Sequence, residues 1–204
     1  IKRQIKFASR DCPPDEQKFV CRYLGTQKKF LNIKSSERDN IVREFKRKSE
    51  NLTEAEVIQI FNELLADDVF EHFSFVGKFL TVSKRVRTAV SLATLEEWLK
   101  ITTGWAECDV LCQSLYDDKE VLTKWTEFKK AIVKFRASSN IQLRRAALVL
   151  QTKPNRSSND PKLRRLAFET IEVLKSEKET LITKAISWLL RSLSRQNPAE
   201  VSRY

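Results

Sequence analysis

Two residues in this chain invite chemistry first: Trp105 and Asp109, within Gly104-Trp105-Ala106-Glu107-Cys108-Asp109. Four positions apart, they share one face of a helix about one turn from each other. An indole face attracts positive charge and a carboxylate neutralises it, so the pair suits a cationic ligand. The spacing is met equally by a partly buried Trp beside a solvated Asp, and on spacing alone both readings stand. The surroundings sharpen the question. The chain carries 38 Lys and Arg against 27 Asp and Glu, a net charge of +11. Such a balance points to nucleic acid, an anionic membrane or an acidic partner, or simply to a basic protein without a specific ligand. A carboxylate on a surface meant for polyanions needs a reason.

Other chemistries are poorly supplied. The four cysteines, Cys12, Cys21, Cys108 and Cys112, form no CxxC, and His72 is the only histidine. No zinc site can be assembled from them, and neither a metal nor an organic cofactor is expected. Cys108 and Cys112 are spaced as small hydrophobes lining a core, and free thiols fit a reducing cytoplasm, close to the nucleoid in a prokaryote. No apolar run approaches the roughly 18 residues of a membrane span.

The elements that must position these residues are helices. Three glycines and five prolines in 204 residues are too few for a turn-rich β fold, and Leu, Lys, Arg, Glu, Ala and Ile favour helix. A helix over Asp15 to Gly25 carries Phe19, Val20, Tyr23 and Leu24. A second opens at Ser35-Ser36-Glu37-Arg38 with a serine N-cap. Thr53-Glu54-Ala55-Glu56 reads as a capping box ahead of Val57, Ile60, Phe61, Leu64 and Leu65. Further helices are expected over 67–82, 84–102, 104–116, 118–136, 138–151, 160–177 and 179–195, with a polar linker between Thr152 and Pro161. Short connections imply antiparallel pairs repeating every roughly 35 to 45 residues, the range of HEAT and armadillo solenoids. The expected architecture is all-α: a single domain over 1–204, a HEAT-like repeat solenoid whose concave basic groove could cradle a duplex. A compact irregular bundle is the competing arrangement.

Four separated segments resemble one known family. Asn140-Ile141-Gln142-Leu143-Arg144-Arg145-Ala146-Ala147-Leu148-Val149-Leu150-Gln151 is similar to a motif of the DNA alkylation repair enzyme family, the HEAT-like-repeat alkylpurine DNA glycosylases. Lys184-Ala185-Ile186-Ser187-Trp188-Leu189-Leu190-Arg191, followed by Asn197-Pro198, resembles its A-I-G-W-x-L-R-E, with Ser187 for the glycine and Ser192 for the acid. Trp105 to Asp109 looks like its W-x-x-x-D. Arg22-Tyr23 and Phe30 to Arg38 resemble its R-Y and F-L-G-I-x-x-P-E-R, with Asn32 for the glycine and Ser36 for the proline. The likeness runs from about residue 16 to 202.

The resemblance implies an enzyme that hydrolyses the N-glycosidic bond of N3- or N7-alkylated purines in double-stranded DNA, acting as a monomer without membrane or obligate protein partner. Such a base is cationic and leaves readily, so a second catalytic acid is not required. Asp109 is then the residue that stabilises oxocarbenium character on the sugar and positions water. Trp105 and Trp188 would pack beside the lesion, and Arg145, with Arg144, would contact phosphate. Lys184 and Arg191 can share a helix face with Trp188, although Arg191 could instead brace a neighbouring helix. Tyr23 matches the family tyrosine, a core position being the alternative. Trp98, Trp125 and a neutral His72 read as packed residues, and the cationic runs at 43–48 and 84–87 as solvated faces or extensions of a phosphate track. A non-catalytic DNA-structure binder on the same scaffold is the rival reading.

Overall fold

The computed structural model describes residues 1–204 and is helical, as the composition requires; its one β feature is an isolated parallel bridge between Lys29 and Val69. The chain forms two compact units, Ile1–Ser114 and Leu115–Tyr204.

The first unit contains α1 (Lys2–Phe7), α2 (Pro14–Leu24), α3 (Ser35–Lys48), α4 (Glu54–Leu65), α5 (Phe70–Val82), α6 (Lys84–Ala89), α7 (Leu92–Lys100) and α8 (Trp105–Ser114). Its core is an aromatic cluster in which Phe45 of α3, Phe61 of α4 and Phe79 of α5 meet with ring centroids 5.1 to 6.2 Å apart, Trp98 of α7 closing the edge of Phe61. Tilted and edge-to-face rings at these separations are the favoured geometry for aromatic quadrupoles. The indole N–H of Trp98 is satisfied by donating to Asn62 Oδ1 at 2.7 Å. The capping box expected at Thr53 is present: Glu56 N donates to Thr53 Oγ1, and Thr53 N donates to Glu56 Oε2.

The second unit contains α9 (Asp118–Thr123), α10 (Trp125–Arg136), α11 (Ile141–Val149), α12 (Thr152–Ser157), α13 (Pro161–Leu174), α14 (Thr180–Ser194) and α15 (Pro198–Arg203). Leu163, Leu166, Ala167, Ile171 and Leu174 of α13 and Ile182, Ala185, Leu189 and Leu193 of α14 are buried. Their three-and-four spacing gives each helix one apolar stripe for the core and leaves a mostly polar face that includes Lys162, Arg165, Lys184 and Arg191 exposed.

Several boundaries differ from those read in the sequence. The helix expected over 84–102 is two, because Val90 is buried in an extended conformation and Ser91 starts α7 by accepting from Thr94 N. That over 118–136 breaks at Lys124. The serine N-cap at 35 is displaced: Lys34 is the N-cap, and Glu37 accepts from its N–H. The supposed linker after Thr152 holds α12, with Thr152, Pro154 and Asn155 buried. Its polar side chains look solvated in sequence but bond backward, Thr152 Oγ1 to Val149 O and Asn155 Nδ2 to Gln151 O.

Candidate functional site

The site in the first unit is built where the end of α2 meets the start of α8. Gly25 terminates α2 in the left-handed region (φ +66°), where a residue without Cβ is unstrained. Gly104, just before α8, lies so close that a Cβ on it would come 2.5 Å from Gly25 C and 2.7 Å from Thr26 N. Two glycines therefore let two backbones touch.

That contact delivers Trp105 to Tyr23. The indole Nε1–H donates to the Tyr23 carbonyl at 2.8 Å, one of the carbonyls α2 leaves open at its end. The Tyr23 ring stands edge-on to the indole, centroids 6.0 Å apart at 84°. Tyr23 is 66% exposed, so it is no core tyrosine. Trp105 and Asp109 are both half-buried on α8, one turn apart, as their spacing predicts. Cys108, Leu111 and Cys112 on the same helix are buried and give it its anchorage. Gly77 of α5 allows α8 to approach, since a Cβ there would lie 2.7 Å from Val110 Cγ2 and 2.9 Å from Ser114 Oγ.

Glu107 completes the junction and was not singled out in the sequence. It is 0% exposed. Its carboxylate accepts from Thr26 Oγ1, from Thr103 N at 2.6 Å and from Thr103 Oγ1 at 3.2 Å. A buried carboxylate with that many donors is a satisfied one. It ties the turn after α2 to the first turn of α8, on the side of the helix away from Trp105 and Asp109. The signal available in sequence was its place in the third position of α8, where capping boxes put Glu.

Loop 26–34 beside this junction is fixed by a second buried acid. Both oxygens of Glu71 lie 3.0 Å from Leu31 N. Desolvation raises its pKa above the ordinary carboxylate value, against these backbone hydrogen bonds.

In the second unit, Lys184, Trp188 and Arg191 occupy one face of α14, the cations exposed and the indole half-buried. Arg195, exposed at the helix end, continues the row at the next turn and was not anticipated. Arg145 of α11 is only 5% exposed, and its Nη1 donates to Leu181 O at 2.5 Å. It is thus no solvated helix face: it joins α11 to the first turn of α14, one turn before Lys184. Arg144 departs from the expectation of DNA contact. Its Nη1 donates to Ser138 O and Ser139 O at 2.9 Å, and its Nε lies 2.9 Å from Glu177 Oε1, an ion pair off the hydrogen-bond line. A guanidinium so engaged clamps the start of α11.

The remaining candidates sort by burial. Trp98 is core, whereas Trp125 is half-buried beside Lys129 and Pro161. His72 is buried with Nδ1 2.8 Å from Leu64 O, and burial lowers its pKa, as befits a packed neutral imidazole. In the cationic runs, Lys46 donates to Val82 O, and Arg85 bonds Leu52 O and Glu54, so both help close helix ends; Arg43, Arg47 and Lys84 are exposed.

Comparison with known proteins bears on the fold and the family. Among solved structures, a predicted DNA alkylation repair enzyme from Enterococcus faecalis superposes with a TM-score of 0.74, covering 96% of this chain and 89% of its own, at 20% identity. At that identity the likeness concerns the all-helical repeat fold. No match was found among the curated proteins. The family model described as DNA alkylation repair enzyme matches residues 10–204, which take in α2, α8, α11 and α14 with every candidate residue above. The chain therefore belongs to the DNA alkylation repair enzyme family.

Proposed function

We propose that this chain is a monofunctional alkylpurine DNA glycosylase with a HEAT-like repeat scaffold, acting on N3- and N7-alkylated purines in duplex DNA. The observation that carries the reading is the fixed pair on α8: an indole held by the Tyr23 carbonyl, with Asp109 one turn further along the same rigid helix. In the proposed reaction the bond between C1′ and the purine nitrogen breaks, and its electrons return to the cationic ring, which leaves neutral. Water adds at C1′ and loses a proton, giving the free base and an abasic site. Asp109 stabilises the positive charge that builds on the sugar and orients the water; fixed charge aimed at developing charge is an effective catalytic device. Trp105 favours the cationic base through its ring, and Trp188 packs against the DNA in the same manner. Tyr23, Lys184, Arg191 and Arg145 contact the DNA, whereas Arg144 acts through the fold.

The decisive measurement is release of 7-methylguanine or 3-methyladenine from methylated duplex DNA. The wild type releases the base, and Asp109→Asn loses release while still binding DNA. Binding without release by the wild type would refute the reading and leave a DNA-structure binder.

A further inference from the structure

Helix α2 contributes no buried residue to the protein, although it carries two large aromatic side chains. Phe19 is 69% exposed and lies one turn before Tyr23, so both project from the same face. The next row of the helix holds Lys18 and Arg22, also exposed and also one turn apart. The acids of α2, Asp15 and Glu16, lie in its first turn, at the end away from Trp105. The result is a row of aromatic side chains, Phe19, Tyr23 and then Trp105, with two cations beside it on α2 as it approaches the α8 junction. Four residues of helix rise about 6 Å, a step an extended nucleotide chain can match. Aromatic faces interleaved with Lys and Arg are the arrangement that binds unstacked nucleotides, the rings taking bases and the cations taking phosphates.

We propose that Phe19 and Tyr23 form a stacking platform for one unpaired nucleotide next to the site, with Lys18 and Arg22 on its phosphates. The proposal rests on the reading of α8 as the DNA-handling element, and extends it: the preferred substrate is a duplex with an opened or bulged nucleotide, in addition to an alkylated base. The charge of the flanking residues and the direct continuity with Trp105 select DNA over a protein partner for this face.

The test uses undamaged DNA, so that it does not depend on catalysis. Affinity and 2-aminopurine fluorescence are measured for a fully paired duplex and for the same duplex carrying a single bulged 2-aminopurine. The wild type is expected to prefer the bulge and quench it. Phe19→Ala should lose about tenfold in affinity for the bulge, the scale of one base–aromatic stack, keep its affinity for paired DNA, and lose the quenching. Phe19→Tyr should restore both. Circular dichroism of Phe19→Ala, in which no core contact is removed, checks that the fold is kept. Equal binding of the bulge by wild type and Phe19→Ala, or no preference in the wild type, overturns the proposal. Alkyl-base release is assayed separately: its failure would strike the glycosylase reading and leave the stacking result standing.

Discussion

Replacing Gly104 by Ala adds one methyl group where there is no room for it. The new Cβ would sit 2.5 Å from Gly25 C and 2.7 Å from Thr26 N, both backbone atoms, whereas ordinary contact begins at 3.4 Å. The start of α8 must therefore retreat from the end of α2 by about 0.7 to 0.9 Å. Overpacking of this kind costs about 1 to 3 kcal/mol, and stretching the Trp105–Tyr23 and Thr26–Glu107 hydrogen bonds adds about 1 kcal/mol. Removing glycine from the unfolded chain returns about 0.4 to 1 kcal/mol. The net loss is about 1 to 3.6 kcal/mol, readable by urea titration followed through tryptophan fluorescence. A shift approaching 1 Å at a catalytic group can cost about 100-fold in rate, so alkyl-base release should fall by roughly 10- to 100-fold at saturating DNA while affinity changes little. If Gly104→Ala matches the wild type in stability and release, the two helix ends are not in tight contact and the placement of α8 does not matter to activity.

Glu107→Gln replaces one accepting oxygen with an N–H₂ facing the Thr103 N–H or the Thr26 hydroxyl, and should cost about 1 to 3 kcal/mol; wild-type stability would contradict the bonding described. Lys184→Ala and Arg191→Ala should each weaken DNA binding and reduce the slope of log affinity against log salt by about one, and an unchanged slope would take that residue off the DNA. For His72, burial holds the folded-state pKa below the ordinary imidazole value of 6.5. The unfolded chain therefore takes up a proton near pH 6.5 while the folded one resists. Stability from this group is full above that pH and falls below it, by up to about 1.4 kcal/mol per pH unit. A His72→Gln variant should lack that part of the acid slope in thermal unfolding, and parallel curves would show that His72 does not control it.

Much of the scaffold was legible because helix signals are local. Apolar residues three and four apart marked α4, α13 and α14, and the Thr53 box marked an actual helix start. The breaks at Val90 and Lys124 were hidden because no glycine or proline marks either of them. Helix α12 reads as a linker in the sequence because its polar side chains bond to carbonyls of the preceding turn, which no composition shows. At the site, Trp105 and Asp109 were visible through their spacing. Glu107 was not, since an acid near the start of a helix reads as solvated until Thr26 and Thr103 are seen around it. Arg144 and Arg145 look alike in sequence and differ in the fold, because adjacent residues on a helix point 100° apart.

The absence of core residues in α2 has a consequence for how the site breathes. A helix with no fully buried residue is held by the half-buried Gln17, Val20, Cys21 and Leu24 and by its end at Gly25 and the Tyr23 carbonyl, and should open locally at less free-energy cost than a core helix. Helix α8, anchored by Cys108, Leu111 and Cys112, should open only when the unit unfolds. Amide hydrogens along α2 are thus expected to exchange orders of magnitude faster than those of α8. The proposed catalytic acid would sit on a stationary wall, and the aromatic wall facing the strand would be free to adjust to it.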